Sequence, residues 1–360
     1  MQLASSLPLP PLPPLPQVPW TEATNSSQEK KNRAQRRPNE KRLRLIIKRQ
    51  ANQTWEADYI PAICAVRGEA PSISHATTII SKKIHGREIH LLSSAEVSAA
   101  LLGLYHPDVI GLQEQRAFSS GEAPHPLHNL KSGTPIGTKP LKGIIDVAER
   151  LDYLEQLPSI KVQDSTGASR SVIFPFIGDL LWAMRSKNGH HYCLNWSVKD
   201  SEDAFKRPLE SKRYTTPNGQ ITEKVLMRHE IENCYYQDAG IRTVFLASEL
   251  IDKNVVANLR QLFLHHARKI SISQEEQDEI TERFRMCIAS ETPAHELIAK
   301  LIGAGKYSLD DCRNILYQAI WFRHLKVNLF EPIIINRPLK PEENDILDVY
   351  ADWFKESRSC

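Results

Sequence analysis

Asp179 and Lys199 lie in one stretch of the chain, residues 174–200, on either side of Asn188-Gly189. Asn-Gly is the strongest short-range signal for a β-hairpin, because both residues tolerate the positive φ of a type I′ turn. Asp179 comes where the outgoing strand begins and Lys199 where the returning strand ends, so we expect both at the same end of the hairpin. A carboxylate that holds a divalent metal ion, beside a lysine that acts on a water, is suited to metal-assisted phosphodiester hydrolysis.

Side chains of the returning strand alternate between two faces, as in any β-strand. One row is apolar, and the opposite row ends in the lysine. The apolar row is Tyr192, Leu194, Trp196 and Val198, and the opposite row is Cys193, Asn195, Ser197 and Lys199.

Glu96 is the candidate for a second carboxylate, because a metal ion is seldom held by one. It stands three residues after Ser93, at the beginning of a helix predicted over 94–104. The Ser-x-x-Glu spacing is also that of a capping box, in which Glu96 would accept a hydrogen bond from the backbone N–H of Ser93. Both interpretations of Glu96, metal ligand and helix cap, are therefore open.

The elements that must position these residues form an α/β domain, a mixed sheet flanked by helices. They follow from hydrophobic periodicity and from the turn residues between the apolar runs. The elements are the helix at 94–104, a strand at 108–115, a long loop at 118–142, a helix at 143–156, hairpin strands at 172–185 and 190–199, a helix at 223–239 and a strand at 242–247.

After Ser248 the pattern becomes mainly helical, which indicates a second domain. Several short helices followed by a small apolar ribbon are typical of a winged helix, so we predict a winged-helix-like fold. The helices are at 251–269, 274–289, 293–303 and 309–324, the apolar pair is at 327–330 and 332–335, and a last helix is at 341–356. The predicted organisation is a disordered, proline-rich and basic arm at 1–50, the α/β domain at 51–250 and the C-terminal domain at 251–360.

The amino-acid composition limits the classes to which the protein can belong. The chain has 360 residues, 41% of them hydrophobic, which is enough for two domains. No run is long and apolar enough to span a bilayer, and prolines interrupt the leading apolar residues, so we expect neither a membrane segment nor a signal peptide. The six cysteines form no Cys-x-x-Cys pair. This argues against a zinc ribbon or a disulfide scaffold and favours a reducing cytoplasm.

A basic run follows a proline-rich segment at residues 1–28, which we expect to be extended or disordered. The run continues to Arg49 and contains few acidic residues. Positive charge at this density favours contact with DNA phosphates, and the alternative is a solvated tail. The candidate DNA-binding residues are Lys30, Lys31, Arg33, Arg36, Arg37, Lys41, Arg42 and Arg44.

Several short motifs occur in a fixed order along residues 85–250. They are His90…Ser93-x-x-Glu96, His106-Pro-Asp-Val109 leading to Gln113-Glu-Gln115, Asp179, Ser197-Val-Lys199, Arg228-His-Glu230 followed by Tyr235-Tyr236, and Gly240-Ile-Arg-Thr-Val244. In order and spacing the chain resembles the TnsA-type endonuclease subunit of heteromeric transposases, which has a variant of the restriction-endonuclease-like fold. The similarity extends into the C-terminal part.

By this resemblance Glu96, Asp179 and Lys199 match the catalytic acid, acid and lysine of the family. Glu230 matches a further acidic position near that site. The expected cofactor is Mg²⁺, for which Mn²⁺ would substitute.

The chain departs from the family at Ser197, two residues before the lysine. Most enzymes of this nuclease fold have Glu or Asp there, and the transposon subunits have Gln. Serine is too short to ligate the ion in the same way and would act through a water, whereas the backbone carbonyl of Val198 can still be a ligand.

The resemblance implies that the chain cuts the 5′ ends of a transposon in double-stranded DNA. A DDE-type transposase would cut and join the 3′ ends, and an AAA+ ATPase would select the target. It also implies a bacterial cytoplasmic protein that associates with the nucleoid when active. Two alternatives are a stand-alone restriction or repair nuclease and a non-catalytic DNA-binding or scaffold protein on a decayed nuclease fold, for which Ser197 is the main argument.

Overall fold

The computed structural model describes residues 38–71, 75–131, 138–163, 168–206 and 223–357. None of the helices in these ranges is both long and apolar enough to cross a bilayer. In chain order the elements are α1 (Glu40–Arg49), β1 (Thr77–Ile80), β2 (Glu88–Leu91), α2 (Ser94–Tyr105), β3 (Val109–Ala117), α3 (Ile144–Arg150), β4 (Ser159–Gln163), β5 (Ser169–Ile173), β6 (Ile177–Arg185), β7 (His191–Lys199), α4 (Glu223–Gln237), β8 (Arg242–Ala247), α5 (Lys253–His265), α6 (Gln274–Ala289), α7 (Ala294–Gly303), α8 (Leu309–Trp321), α9 (Ile346–Val349) and α10 (Ala351–Phe354).

Four strands form the central sheet, in the spatial order β3-β6-β7-β8. β6 and β7 are the predicted hairpin, and Gly189 in its turn has a φ of 85°. β3 pairs antiparallel with β6, whereas β8 pairs parallel with β7. The sheet is therefore mixed, as predicted. Two separate two-stranded sheets, β1 with β2 and β4 with β5, complete the strand pairing among the described residues.

The outgoing strand predicted at 172–185 is in fact two strands. β5 ends at Ile173 and β6 begins at Ile177, and Pro175 lies between them. Proline has no backbone N–H to donate to a ladder, so the strand breaks there. β5 then pairs with β4, with Ser159 opposite Ile173.

Helices cover both faces of the central sheet, as predicted. α2 belongs to the same core as Trp182 and Trp196, and α4 belongs to the core that contains Leu181 and Cys193. Successive residues of β7 thus enter opposite cores, which confirms the alternation read from its sequence. Gly103 lets α2 lie close to the sheet, because a Cβ atom there would be 2.4 Å from the ring of Trp182.

The helices after residue 250 share a core with the first half of the chain. Trp321 of α8 contacts Tyr105 of α2 edge to face, with ring centroids 5.6 Å apart. Leu262 of α5 belongs to the same buried cluster as Leu102 of α2. The boundary predicted at residue 250 therefore marks a change of secondary structure within a continuous core.

The segment predicted as a small apolar ribbon follows an irregular path and forms no strand among the described residues. One isolated bridge joins Val327 to Pro341. The buried side chain of Asn258 in α5 donates to the carbonyl of Leu329 at 2.9 Å, so a side-chain amide holds the segment where a ladder was expected. The last predicted helix, 341–356, consists of the two short helices α9 and α10.

Candidate active site

The hairpin of β6 and β7 brings Asp179 and Lys199 to the same end, as its turn predicts. The register pairs Leu180 with Trp196, and Asp179 and Ser197 are the next residues beyond that pair. The backbone N–H of Val198 donates to Asp179 Oδ2 at 2.7 Å, which fixes the carboxylate against the returning strand. The other oxygen, Oδ1, accepts no hydrogen bond from the described residues.

Glu96 lies in the first turn of α2, and its side chain is 6% exposed. Its Oε2 accepts from the backbone N–H of Leu92 at 2.8 Å and from Gln115 Nε2 at 3.0 Å. Ser93 is the N-cap, as predicted, because its Oγ accepts from the Glu96 N–H at 3.1 Å. The backbone donor to the Glu96 carboxylate is Leu92, where a capping box would have Ser93.

Glu96, Asp179 and Lys199 line one cavity of about 600 Å³ at the end of the hairpin. Lys199 Nζ forms no hydrogen bond or ion pair with any described residue. The three predicted catalytic residues are thus brought together, and the lysine is available to a ligand. Other polar residues of the wall include Arg42, His75, Ser93, Gln115, Asp200 and Arg228, and Val198 also lines it.

Burial and charge act together on the acids of this cavity. The pKa of Glu96 is raised to about 8, first by burial and then by the negative charge of Asp179, while Lys199 opposes the shift. The two carboxylates therefore lie close enough to repel each other. A bound cation would relieve that repulsion and favour the ionised form of both acids.

Glu232 of α4 is a further acid beside the predicted residues. It is 1% exposed and accepts from Asn195 Nδ2 at 2.9 Å and from Ser197 Oγ at 3.2 Å. Burial raises its pKa, as does the charge of Asp179, whereas Arg228 and Lys199 lower it. Glu232 does not line the cavity, but it places a carboxylate behind Ser197, the position at which the strand carries no acid.

Glu230, the acid predicted from the resemblance, points elsewhere. Its carboxylate is exposed and accepts from Tyr153 Oη at 2.7 Å, and it does not line the cavity. Helix geometry explains the difference, because residues two positions apart face opposite sides of a helix. The available sequence signal is the spacing of Glu232 from the buried Tyr236, one turn later on the same face.

The donor set around the cavity suits a hard divalent cation such as Mg²⁺ or Mn²⁺. Such ions prefer carboxylate and carbonyl oxygens, which the side chains of Glu96 and Asp179 and the backbone of Val198 provide in the wall of the cavity. Among the described residues, no three His, Cys, Asp or Glu side chains meet as a metal site. The ion would therefore take two carboxylates and complete its shell with neutral oxygens and waters, and Mg²⁺ usually keeps several waters.

The basic arm is only partly within the described residues, and its part from Glu40 to Arg49 is a helix with Leu43 and Ile46 buried, where a disordered arm was predicted. Lys41, Arg42 and Arg44 lie on α1, and Arg42 lines the cavity, where its guanidinium lies 5.7 Å from the centroid of the Phe174 ring. Arg44 instead forms an exposed ion pair with Glu40 at 2.6 Å. The remaining candidates lie outside the described residues, and they are Lys30, Lys31, Arg33, Arg36 and Arg37.

The sequence was compared with models of known protein families and with curated proteins. The chain matches no model of a known protein family and no curated protein. The functional reading therefore depends on the geometry of the cavity and on the order of the motifs along the chain.

Proposed function

We propose that this protein is a metal-dependent DNA endonuclease that hydrolyses phosphodiester bonds in the cavity at the end of the hairpin. The observation that supports this most directly is that Glu96, Asp179 and Lys199 line that one cavity although they are far apart in the sequence. Burial and the negative charge of Asp179 raise the pKa of Glu96, and Lys199 Nζ forms no hydrogen bond or ion pair with the described residues. This combination suits a cation and a phosphate better than it suits a purely structural role.

Glu96 and Asp179 would hold the Mg²⁺ or Mn²⁺, together with neutral oxygens such as the Val198 carbonyl. When bound, such an ion supplies positive charge beside the scissile phosphate and lowers the pKa of a nearby water. Ser197 would take part only through a water, because its hydroxyl already donates to Glu232.

The basic residues of the cavity would act on the substrate directly. The free ammonium of Lys199 is suited to orient the attacking water in line with the P–O bond and to offset charge that develops on the phosphate oxygens. Arg228 Nη2 donates to the carbonyl of Ile177 at 3.0 Å, which places a positive charge in the same wall. Together with Arg42 it suits the phosphates on either side of the scissile bond.

The narrower role follows from the resemblance to TnsA-type subunits. In that role the chain cuts the 5′ ends of a transposon with a DDE-type transposase and an AAA+ ATPase as partners. The mixed sheet flanked by helices supports a restriction-endonuclease-like fold for residues 51–250. We also propose that the C-terminal helices form a winged-helix-like unit that docks to a partner protein, because several short helices follow one another after residue 250.

The test is cleavage of DNA that carries transposon-type ends, with Mg²⁺ or Mn²⁺, by wild-type protein and by Asp179→Asn and Lys199→Met. We expect each variant to lose more than about 100-fold in rate, because even residues behind the ligands of a metal contribute about 10- to 100-fold. Glu149→Gln is the control, since Glu149 is exposed and away from the cavity. Folding is checked by the urea midpoint of each variant.

The same assay separates the alternatives. Cleavage of a defined duplex by the isolated wild-type protein would favour a stand-alone nuclease, whereas cleavage only with the transposase partner would favour the transposon role. Wild-type protein that binds DNA but never cuts it would favour the scaffold. If folded Asp179→Asn protein cuts as fast as wild type, the site assignment is wrong.

A further inference from the structure

Gln115 occupies an unusual position in β3, the strand next to Asp179. Its φ is 50°, a left-handed conformation that residues other than glycine rarely adopt. The register of β3 and β6 pairs Glu114 with Leu180 and Arg116 with Gly178, so Gln115 lies opposite Asp179, where no ladder partner is formed. The Gln115 carbonyl instead accepts from the backbone N–H of Ala62 at 3.0 Å.

The left-handed residue changes which side chains share a face of β3. Gln113 and Arg116, three positions apart, would point to opposite faces of a regular strand. Here Arg116 Nη1 donates to Gln113 Oε1, so the alternation is shifted by one between them. The Gln115 side chain, 3% exposed, is thereby directed to Glu96 and into the wall of the cavity.

The contact with Glu96 is specific. Gln115 Nε2 and the Leu92 N–H both donate to Glu96 Oε2, which holds that oxygen on the protein side. Glu96 Oε1 has only the hydroxyl of Ser93, 3.2 Å away, as a partner among the described residues. One carboxylate oxygen is therefore fixed and the other is left for a ligand.

We infer that Gln115 is the positioning residue of the cation site: its left-handed backbone carries the amide to Glu96 and orients that carboxylate for a divalent ion held jointly with Asp179. The inference rests on the proposed function for the identity of the ion. It concerns the binding of the cation and is therefore measurable without DNA.

The test is the affinity of the full chain for Mn²⁺, measured by the electron paramagnetic resonance of free Mn²⁺. We expect Gln115→Leu, which removes the amide, to bind about 10- to 100-fold more weakly, as is found for residues that orient metal ligands. Gln115→Asn should be equally weak, because asparagine accepts the left-handed backbone but is one methylene too short to reach Glu96. This second variant keeps the test decisive if the leucine protein does not fold.

Gln113→Leu is the matched control on the same strand. Gln113 Nε2 donates to the carbonyls of Gln53 and Thr54 at 2.9 and 2.7 Å, and its Oε1 accepts from Arg116 Nη1. None of these residues lines the cavity. This variant should have a lower melting temperature and an unchanged Mn²⁺ affinity, which separates loss of stability from loss of positioning.

Equal Mn²⁺ affinities for wild type, Gln115→Leu and Gln115→Asn would overturn the inference, and so would a folded wild-type protein that binds no Mn²⁺. Wild-type protein that binds Mn²⁺ but leaves DNA uncut would count against the proposed function only. The Mn²⁺ affinities of the variants would then still decide the role of Gln115.

Discussion

At the scale of single residues, Glu232 of α4 places a carboxyl group behind Ser197, where β7 itself has no acid. Ser197 is too short to reach a cation, but its hydroxyl and the amide of Asn195 both donate to the Glu232 carboxylate. A buried carboxylate held by two donors is fixed in orientation. Glu232 does not line the cavity, so it lies behind Ser197 and acts on the site only through that strand.

We expect Glu232→Gln to slow DNA cleavage by about 10- to 100-fold, because the amide keeps the shape but removes the charge beside Asp179. Stability should be unchanged or higher, since burial raises the pKa of Glu232 and a neutral amide avoids burying a charge. Glu230→Gln is the control on the same helix and should leave the rate within about twofold. Equal losses in the two variants would contradict the assignment of Glu232.

We expect His125 to make the folded protein sensitive to acid. It is 8% exposed, and its Nδ1 accepts from the Leu127 N–H at 3.1 Å. Burial lowers the pKa of His125 to about 4, whereas the unfolded chain takes up a proton near pH 6.5. Neutral His125 therefore costs the folded protein nothing above pH 6.5. As the pH falls from 6.5 towards 4, protonation of this histidine in the unfolded chain lowers the free energy of unfolding.

His125→Asn tests this, because asparagine keeps an acceptor for the Leu127 N–H but does not titrate. We expect the free energy of unfolding of wild type to fall by about 2 kcal/mol more than that of the variant between pH 7 and pH 5. Urea denaturation at the two pH values measures both losses. Parallel losses would show that His125 is not a source of the acid sensitivity.

The sequence was sufficient to predict that Asp179 and Lys199 meet, because an Asn-Gly turn fixes the register of its two strands. Glu96 needed the resemblance as well, since its spacing from Ser93 also fits a helix cap. Glu230 was predicted from the resemblance, whereas the acid of α4 that contacts Ser197 is Glu232. Which of the two faces the sheet depends on the rotation of α4 about its axis, which the packing of Tyr236 determines.

At the scale of elements, a capping signal predicted the bounds of a helix well, whereas the sequence pattern predicted weakly alternating strands poorly. α6 has the predicted bounds, Gln274–Ala289, because a capping box at Ser273 and Glu276 fixes its beginning. β4 was missed, since its residues alternate only between exposed and half-buried positions. The left-handed turn at Gln115 was also missed, because glutamine carries no preference for that conformation and tertiary contacts impose it.

Gly103 sets the distance between α2 and the sheet, and hence the reach of Glu96. We expect Gly103→Ala to lower the free energy of unfolding by about 1–3 kcal/mol, because the new methyl group would overlap the buried ring of Trp182. Gly303→Ala is the control, since nothing lies within 4 Å of a Cβ atom there. It should be neutral or stabilise α7 by up to about 1 kcal/mol. Urea denaturation measures both, and equal effects would contradict close packing at Gly103.

At the scale of the whole molecule, one core joins the hairpin, α2 and the C-terminal helices. The ring of Trp321 is 4% exposed and contacts Phe263, with ring centroids 5.4 Å apart, as well as Tyr105. The sequence suggested two domains because the pattern changes from mixed to helical near residue 250. Periodicity describes each helix but does not say which other element covers it.

We expect Trp321→Ala to lower the free energy of unfolding by about 3–5 kcal/mol in a single cooperative transition. Phe322→Ala is the control, because Phe322 is 50% exposed and should change stability by less than about 0.5 kcal/mol. Denaturation followed by far-ultraviolet circular dichroism and by tryptophan fluorescence checks both points. Two separate transitions in wild type would show that the halves fold independently.

The contacts of β7 with α10 have a kinetic consequence. Trp196 Nε1 donates to the carbonyl of Trp353 at 3.0 Å, and Tyr192 Oη donates to that of Phe354 at 2.9 Å. These partners are 157 and 162 positions apart, and contacts between such distant residues form slowly. During synthesis on the ribosome, this flank of the strand that ends in Lys199 stays uncovered until Trp353 and Phe354 have been added. A chain that stops before residue 351 would therefore leave this flank of β7 open, and with it the strand that carries Lys199.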